Sequence, residues 1–269
     1  MAKQLTIVDA GALQEYVLRD RVSRYDSGKP RAQKQKATSA SQKALNLKNA
    51  TRHVERTLAK NFPTSGSANF VTLTYSNEML PSCPDPADCR ARVLKDKDSF
   101  LARLRRIRAK KGLPVPRAVW CIEVLTSAHN RWHVHLVLDN TGDDLEDIRR
   151  CWKGGGHVDL EPLRIDEDQN HESLARYMTK EMRELQDRNP RPGAHVWGIT
   201  RSCWKYEVEH ITVPDDYEIQ PPESSEILDD RRESTEFASW HYVKARVGNQ
   251  AFPRPARAKR RRRSDALFV

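Results

Sequence analysis

The sequence contains no apolar run near the roughly 20 residues that span a bilayer, and its first residues carry no apolar signal core. A membrane-spanning helix is excluded, and the expectation is a soluble protein kept inside the cell. Cysteine is sparse and odd in number: Cys83, Cys89, Cys121, Cys151 and Cys203 are scattered along the chain. That pattern argues against a disulfide framework and makes reduced thiols the default. Cys83 and Cys89 bracket a Pro84-Asp85-Pro86-Ala87-Asp88 segment, but a structural zinc needs two further ligands at similarly short spacing, and none is present. No Gly-x4-Gly-Lys-Ser/Thr loop occurs, which removes the common phosphate cradle of an ATPase.

Acidic residues are outnumbered, 37 against 47 Lys plus Arg, giving a formal charge of +10 and a pI near 9.5. Such a balance points to a polyanionic partner, with nucleic acid the leading class. A mean hydropathy of -0.79 and 31% charged residues fit a modest core with polar appendages.

Periodicity divides the chain. The spacing predicts a short helix over Asp9–Arg21, and the Lys/Arg/Gln/Ser-rich stretch from Ser27 to Ser41 reads as a mobile basic linker. Helical spacing returns at Leu47, Ala50, Val54 and Leu58, ahead of a breaker at Pro63–Ser67. Asn69–Tyr75 is β-branched and aromatic, as a central strand should be. From Asp98 a stripe of Phe100, Leu104 and Ile107 predicts an amphipathic helix whose basic back carries Arg103, Arg105, Arg106, Arg108, Lys110 and Lys111. Two strands follow, Ala118–Leu125 and the run around Trp132–Leu136, with Ser127-Ala128-His129 as their turn. Asp143–Trp152 is a helix with acids first and Arg149-Arg150 last, stopped by Gly154-Gly155-Gly156. His157–Leu163 is a strand, His171–Gln186 a helix, and Trp197–Val213 holds one or two strands. This order implies an α+β fold of ferredoxin-like layering, an antiparallel sheet with helices on one face and the other face left for ligand. The expected division is 1–66, a basic helical extension and linker; 67–213, the main domain; and 214–269, a charged, mobile tail. That tail is acidic over Glu223–Glu233 and ends in Lys259–Arg263, a run suited to non-specific phosphate contact.

His133 and His135 stand two apart on a strand, so both leave the same face. A pair of that kind is by itself more often an ordinary boundary feature of a half-polar strand. The turn length, however, places Glu123 directly across from His133, within about 5 Å, with His135 a diagonal neighbour within about 8 Å. Two imidazoles and a carboxylate can hold one divalent cation and leave positions open for substrate oxygens, which favours a catalytic over a structural ion.

The helix His171–Gln186 directs Leu174, Met178, Met182 and Leu185 to one stripe, while Tyr177, Lys180 and Glu184 share another face. Tyrosines off a core stripe are commonly boundary residues. Next to a cation site the reading changes: a phenol with pKa near 10 needs activation, a phosphodiester needs its charge neutralised, and cation, tyrosine and lysine together meet both needs.

Phe70-Val71-Thr72-Leu73-Thr74-Tyr75, His133-Val134-His135 and Tyr177-Met178-Thr179-Lys180, in this order, resemble the three motifs of HUH endonucleases, specifically the rolling-circle replication initiators of bacteriophages and plasmids. The resemblance spans about Asn69–Val213. Trp152, Gly156-His157-Val158 and Glu161-Pro162-Leu163 also look like a segment that small phage initiators carry between the second and third motifs. It implies that Glu123, His133 and His135 bind Mg²⁺ or Mn²⁺, that Tyr177 is the nucleophile, and that Lys180 assists at the scissile phosphate. It further implies a DNA nicking-joining enzyme acting on single-stranded origin DNA in the cytoplasm of a bacterial host, with the host helicase and polymerase as partners. Ser173 and Glu181 flank Tyr177 by one turn, so the pattern is that of a single-tyrosine enzyme. Relaxases and single-tyrosine transposases share this chemistry. The reading from another class is a non-catalytic nucleic-acid-binding module with Tyr75 and Trp132 as stacking positions. Tyr206 is expected to be structural or DNA-contacting.

Overall fold

The computed structural model describes residues 2–20, 40–82, 86–125, 131–165, 171–188, 196–234 and 239–247. The basic run Lys259–Arg263 and almost all of the stretch from Ser27 to Ser41 lie outside them. The fold is α+β, with two antiparallel five-stranded sheets and four helices among the described residues.

The chain opens with β1 (Lys3–Ala10) and β2 (Leu13–Asp20), paired from Lys3↔Asp20 to Ala10↔Leu13. The helix expected over Asp9–Arg21 is therefore a hairpin. Gly11, at φ 77°, takes the first place of the turn, and its N–H donates to Asp9 Oδ1 at 2.8 Å. Leu5 and Ile7 face Leu18 and Tyr16 across the hairpin, a period of two that outweighs the helix-favouring Ala, Gln and Glu between them.

Next come α1 (Ala40–Asn61), β3 (Ala68–Tyr75), α2 (Pro86–Lys110), β4 (Ala118–Leu125), β5 (Arg131–Asp139), α3 (Leu145–Cys151), β6 (Gly155–Pro162), α4 (Glu172–Arg188) and β7 (Trp197–Ile199). The last three strands are β8 (Glu207–Val213), β9 (Glu226–Ser234) and β10 (Ser239–Arg246). Two compact units result. One holds β8-β1-β2-β10-β9, so segments far apart in the chain contribute to a single sheet; the other, Gln35–Lys205, holds β6-β3-β5-β4-β7 and all four helices. Residues 226–234 and 239–246, whose charge reads as a solvated tail, instead pair as β9 and β10, with Arg246 bonded to Glu226 and His241 to Asp230 across the strands.

In the helix-bearing unit, alternation sorts the sheet residues onto two faces. Val71, Leu73, Ile122, Val134 and Leu136 pack with Val93, Phe100 and Leu104 of α2 and Ile148 of α3. Ala68, Val119, Cys121 and Val137 pack with Val54 and Leu58 of α1 and Ala175 and Met178 of α4. Each large apolar side chain among them contributes roughly 1.5–3 kcal/mol when fully buried. One helix pair thus covers a face as expected, but the face reserved for ligand is shared with α1 and α4.

Helix α2 begins at Pro86, a residue suited to the first turn, well before Asp98. Arg108 does not belong to its basic back: it is fully buried. Its Nε donates to Asp144 Oδ2 at 2.5 Å, Nη1 to Asp139 Oδ1 at 2.7 Å and Nη2 to the Asp139 carbonyl at 3.0 Å. The guanidinium ties the last turn of α2 to the end of β5 and the start of α3.

Candidate metal centre

Strands β4 and β5 pair with Glu123 opposite His133 and Cys121 opposite His135, while β3 places Thr74 opposite His133 and Thr72 opposite His135. The pleat then turns Glu123, His133 and His135 to the same face, and one ligand atom from each lies within 4.8 Å of the others. The register expected from the hairpin is the one observed; its turn residues, Thr126–Asn130, lie outside the described residues.

Helix α4 crosses this face. Met178 lies against Cys121 with sulfur to sulfur at 3.6 Å, and Thr179, buried in the helix, meets the hydroxyl of Thr51 on α1 at 2.9 Å. Those contacts fix the rotation of the helix that delivers Tyr177 and Lys180. The Tyr177 hydroxyl donates to Glu123 Oε2 at 3.0 Å and lies 3.0 Å from His135 Nε2. Glu123 Oε2 and His135 Nε2 are themselves 3.0 Å apart. Lys180 Nζ donates to the other carboxylate oxygen, Glu123 Oε1, and sits 5.0 Å from the Tyr177 ring centroid. All five residues singled out in the sequence are therefore brought together. Of the remaining residues on the tyrosine helix, the side chains of Met182, Glu184 and Leu185 lie outside the described residues.

Burial and charge act against each other here. Desolvation pushes the Glu123 carboxyl up, but hydrogen bonds from Lys180, His135 and Tyr177 outweigh it and hold the group below its ordinary value. Burial lowers both histidines, against the pull of Glu123 upward. An ionised carboxylate beside two neutral imidazoles is the donor set that a divalent cation requires. The Thr72 hydroxyl, 3.1 Å from His135 Nδ1, can donate or accept, so it satisfies that nitrogen in either tautomer and allows Nε2 to serve as donor or as ligand. In the sequence nothing distinguishes Thr72 from any other strand threonine. The role of Phe70 is likewise hidden there: its ring stacks on His135 at 5.6 Å and meets Tyr177 edge-on at 6.1 Å. Beside them opens a cavity of about 850 Å³, bounded by Phe70, Glu161, Arg164, Ser173 and Tyr177.

Residues 68–185 match the model of a replication-associated protein family, the ORF2 type. The match begins at the first residue of β3, ends within α4 and contains the whole Glu123, His133, His135, Tyr177 and Lys180 cluster. No curated protein and no solved structure matches the chain. The likeness supports a replication-associated protein that interacts with DNA, and no described helix is long and apolar enough to cross a membrane.

Proposed function

We propose that the chain nicks one strand of origin DNA by transesterification to start rolling-circle replication. The observation that carries the reading is the position of the Tyr177 hydroxyl, 3.0 Å from a carboxylate and an imidazole of the one three-residue cluster among the described residues that can hold a metal ion. Glu123, His133 and His135 would hold Mg²⁺ or Mn²⁺, which when bound supplies positive charge to the non-bridging oxygens of a phosphodiester.

The chain's own groups account for the rest. Tyr177 already directs its proton to Glu123 Oε2, which prepares its oxygen for attack on phosphorus. As the Tyr177 oxygen bonds to phosphorus, the bond from phosphorus to the 3′ oxygen breaks; the 3′ oxygen takes up a proton, leaving a 5′-phosphotyrosine and a 3′ hydroxyl. Lys180, charged and close to both Glu123 and the phenol ring, offsets negative charge that develops at this point. The phosphodiester energy is kept in the phosphotyrosine, so the strand can be rejoined to a new 3′ hydroxyl. That 3′ end would prime a host polymerase behind a host helicase, in the cytoplasm of a bacterial cell. A relaxase or transposase would use the same step; the match to a replication-associated family favours initiation.

The test is adduct formation on a panel of single-stranded hairpin DNAs with Mn²⁺ or Mg²⁺. Tyr177→Phe removes only the phenolic oxygen, so the fold should persist and the covalent adduct should vanish, while Lys180→Ala should slow its formation. Mass spectrometry should find the nucleotide on the peptide holding Tyr177. An adduct that maps to Tyr206 or Tyr75, or that survives Tyr177→Phe, overturns the assignment.

A further inference from the structure

Trp204 is the most exposed of the large apolar side chains among the described residues, at 60%. Its backbone is nonetheless held firmly. Asn61, buried at the end of α1, accepts from the Trp204 N–H through Oδ1 at 2.8 Å and donates to the Trp204 carbonyl through Nδ2 at 3.0 Å. The preceding residues are pinned to the start of β4. Thr200 N–H donates to the Ala118 carbonyl at 2.9 Å, Ala118 N–H to Thr200 Oγ1 at 2.8 Å, and the Ser202 hydroxyl to the Pro116 carbonyl. A buried asparagine committed at both ends to one exposed residue fixes where the indole points, at a cost in exposed apolar surface.

Arg117 lies over the indole with its guanidinium carbon 4.1 Å from the ring centroid. The arginine is itself anchored, its N–H donating to Asp139 Oδ1 at 3.0 Å and its Nε 3.8 Å from Asp139 Oδ2. The ring therefore has a cation fixed on it, and the exposed cations Arg201 and Lys205 are close in sequence. Arg117 precedes Glu123 by six residues, which along an extended strand puts this platform about 20 Å from the metal centre.

We infer that Trp204, braced by Asn61 and Arg117, is a stacking platform for a nucleobase of single-stranded DNA. The inference rests on the reading that the chain works on single-stranded DNA. A rigid aromatic ring offers its face to any base, and flanking cations suit the adjoining phosphates, the combination by which single strands are held without sequence readout. A protein partner would ask for a contiguous apolar patch, whereas the indole is bordered by Arg117, Arg201 and Lys205.

Fluorescence anisotropy with labelled single-stranded oligonucleotides, in buffer without divalent metal so that no cleavage intervenes, tests this on the full chain. Trp204→Ala should weaken binding roughly 5- to 150-fold, and Trp204→Phe should retain most of the affinity. An abasic site moved along the strand should, at one position, weaken the wild type by the same factor and cost Trp204→Ala nothing further, as expected of two changes to one contact. Unchanged affinity of Trp204→Ala overturns the platform, as does equal loss for intact and abasic strands at every position. Self-association abolished by Trp204→Ala, with DNA affinity intact, would assign the ring to a second copy and overturn it too. Adduct formation is scored separately: DNA binding with the Trp204 pattern but no adduct would refute nicking and uphold the platform, and no binding of single strands by the wild type would refute both.

Discussion

Arg108 separates a structural role from a DNA-binding one, because its sequence surroundings say basic surface and its environment says core. In Arg108→Met a hydrophobic side chain of similar length replaces a fully buried guanidinium, leaving Asp139 and Asp144, which are 3% and 1% exposed, without their shared partner. Breaking a buried ion pair by removing one member costs about 3–5 kcal/mol, chiefly because the remaining charge is stranded. The estimate belongs near the lower end of that range, since Asp144 also accepts from the Thr141 hydroxyl and Asp139 from the Arg117 N–H. For a unit of this size, 1 kcal/mol moves the midpoint by about 2–4 °C, so differential scanning calorimetry should show a fall of roughly 6–20 °C. Neutralising the stranded acids in Arg108→Met/Asp139→Asn/Asp144→Asn should recover part of it. The exposed Arg105, changed to Met, should stay within about 0.5 kcal/mol of wild type. Because Arg108 touches no solvent, the dependence of DNA affinity on salt should keep its slope in Arg108→Met. A midpoint unchanged within error, or a shallower salt slope, would refute the reasoning.

His53 on α1 is held below its ordinary value by burial, reinforced by nearby Arg56. A histidine lowered in the folded state binds fewer protons there than when unfolded, so stability is complete above about pH 6.5 and falls as pH drops below it; thermal melts from pH 7.5 to 5.5 should show this, and His53→Gln should flatten the curve, a parallel curve counting against it. Removing the metal donors in His133→Ala/His135→Ala should abolish Mn²⁺ binding in titration calorimetry while single-strand binding, which rests on Lys and Arg, persists; retained Mn²⁺ binding would exclude this centre. Gly156→Ala would set a Cβ 2.6 Å from the Thr74 carbonyl oxygen, forcing β6 away from β3, and should lower the melting midpoint by several degrees where an exposed alanine substitution would not.

The centre is legible where its geometry is local. Two residues of spacing put His133 and His135 on one face, a short turn sets Glu123 opposite, and three residues of helix put Lys180 beside Tyr177. What surrounds that cluster depends on pairings between distant segments. Thr72 reaches His135 across 63 positions, and no periodicity marks it as different from Thr74. Arg108 has the composition of its exposed neighbours and is set apart only by acids 31 and 36 positions later. The first hairpin misleads for the same reason: its local composition favours helix, while the strands that complete its sheet stand roughly two hundred residues away. Strands β9 and β10 carry so many charges that they read as tail, yet those charges are spent on cross-strand partners such as Arg246 with Glu226.

That first hairpin has a consequence for the order in which the chain matures. Strands β1 and β2 leave the ribosome ahead of their neighbours, but β1 needs β8 and β2 needs β10 on their outer edges. Until β8 and β10 are made, the hairpin exposes two unpaired edges, the kind of template on which other nascent chains pair. Gln35–Lys205, by contrast, pairs all its strands among themselves and can close as soon as β7 is complete. Chains cut short before β10 would then carry a finished metal centre alongside an adhesive first hairpin, so premature termination is more dangerous to solubility than to the chemistry.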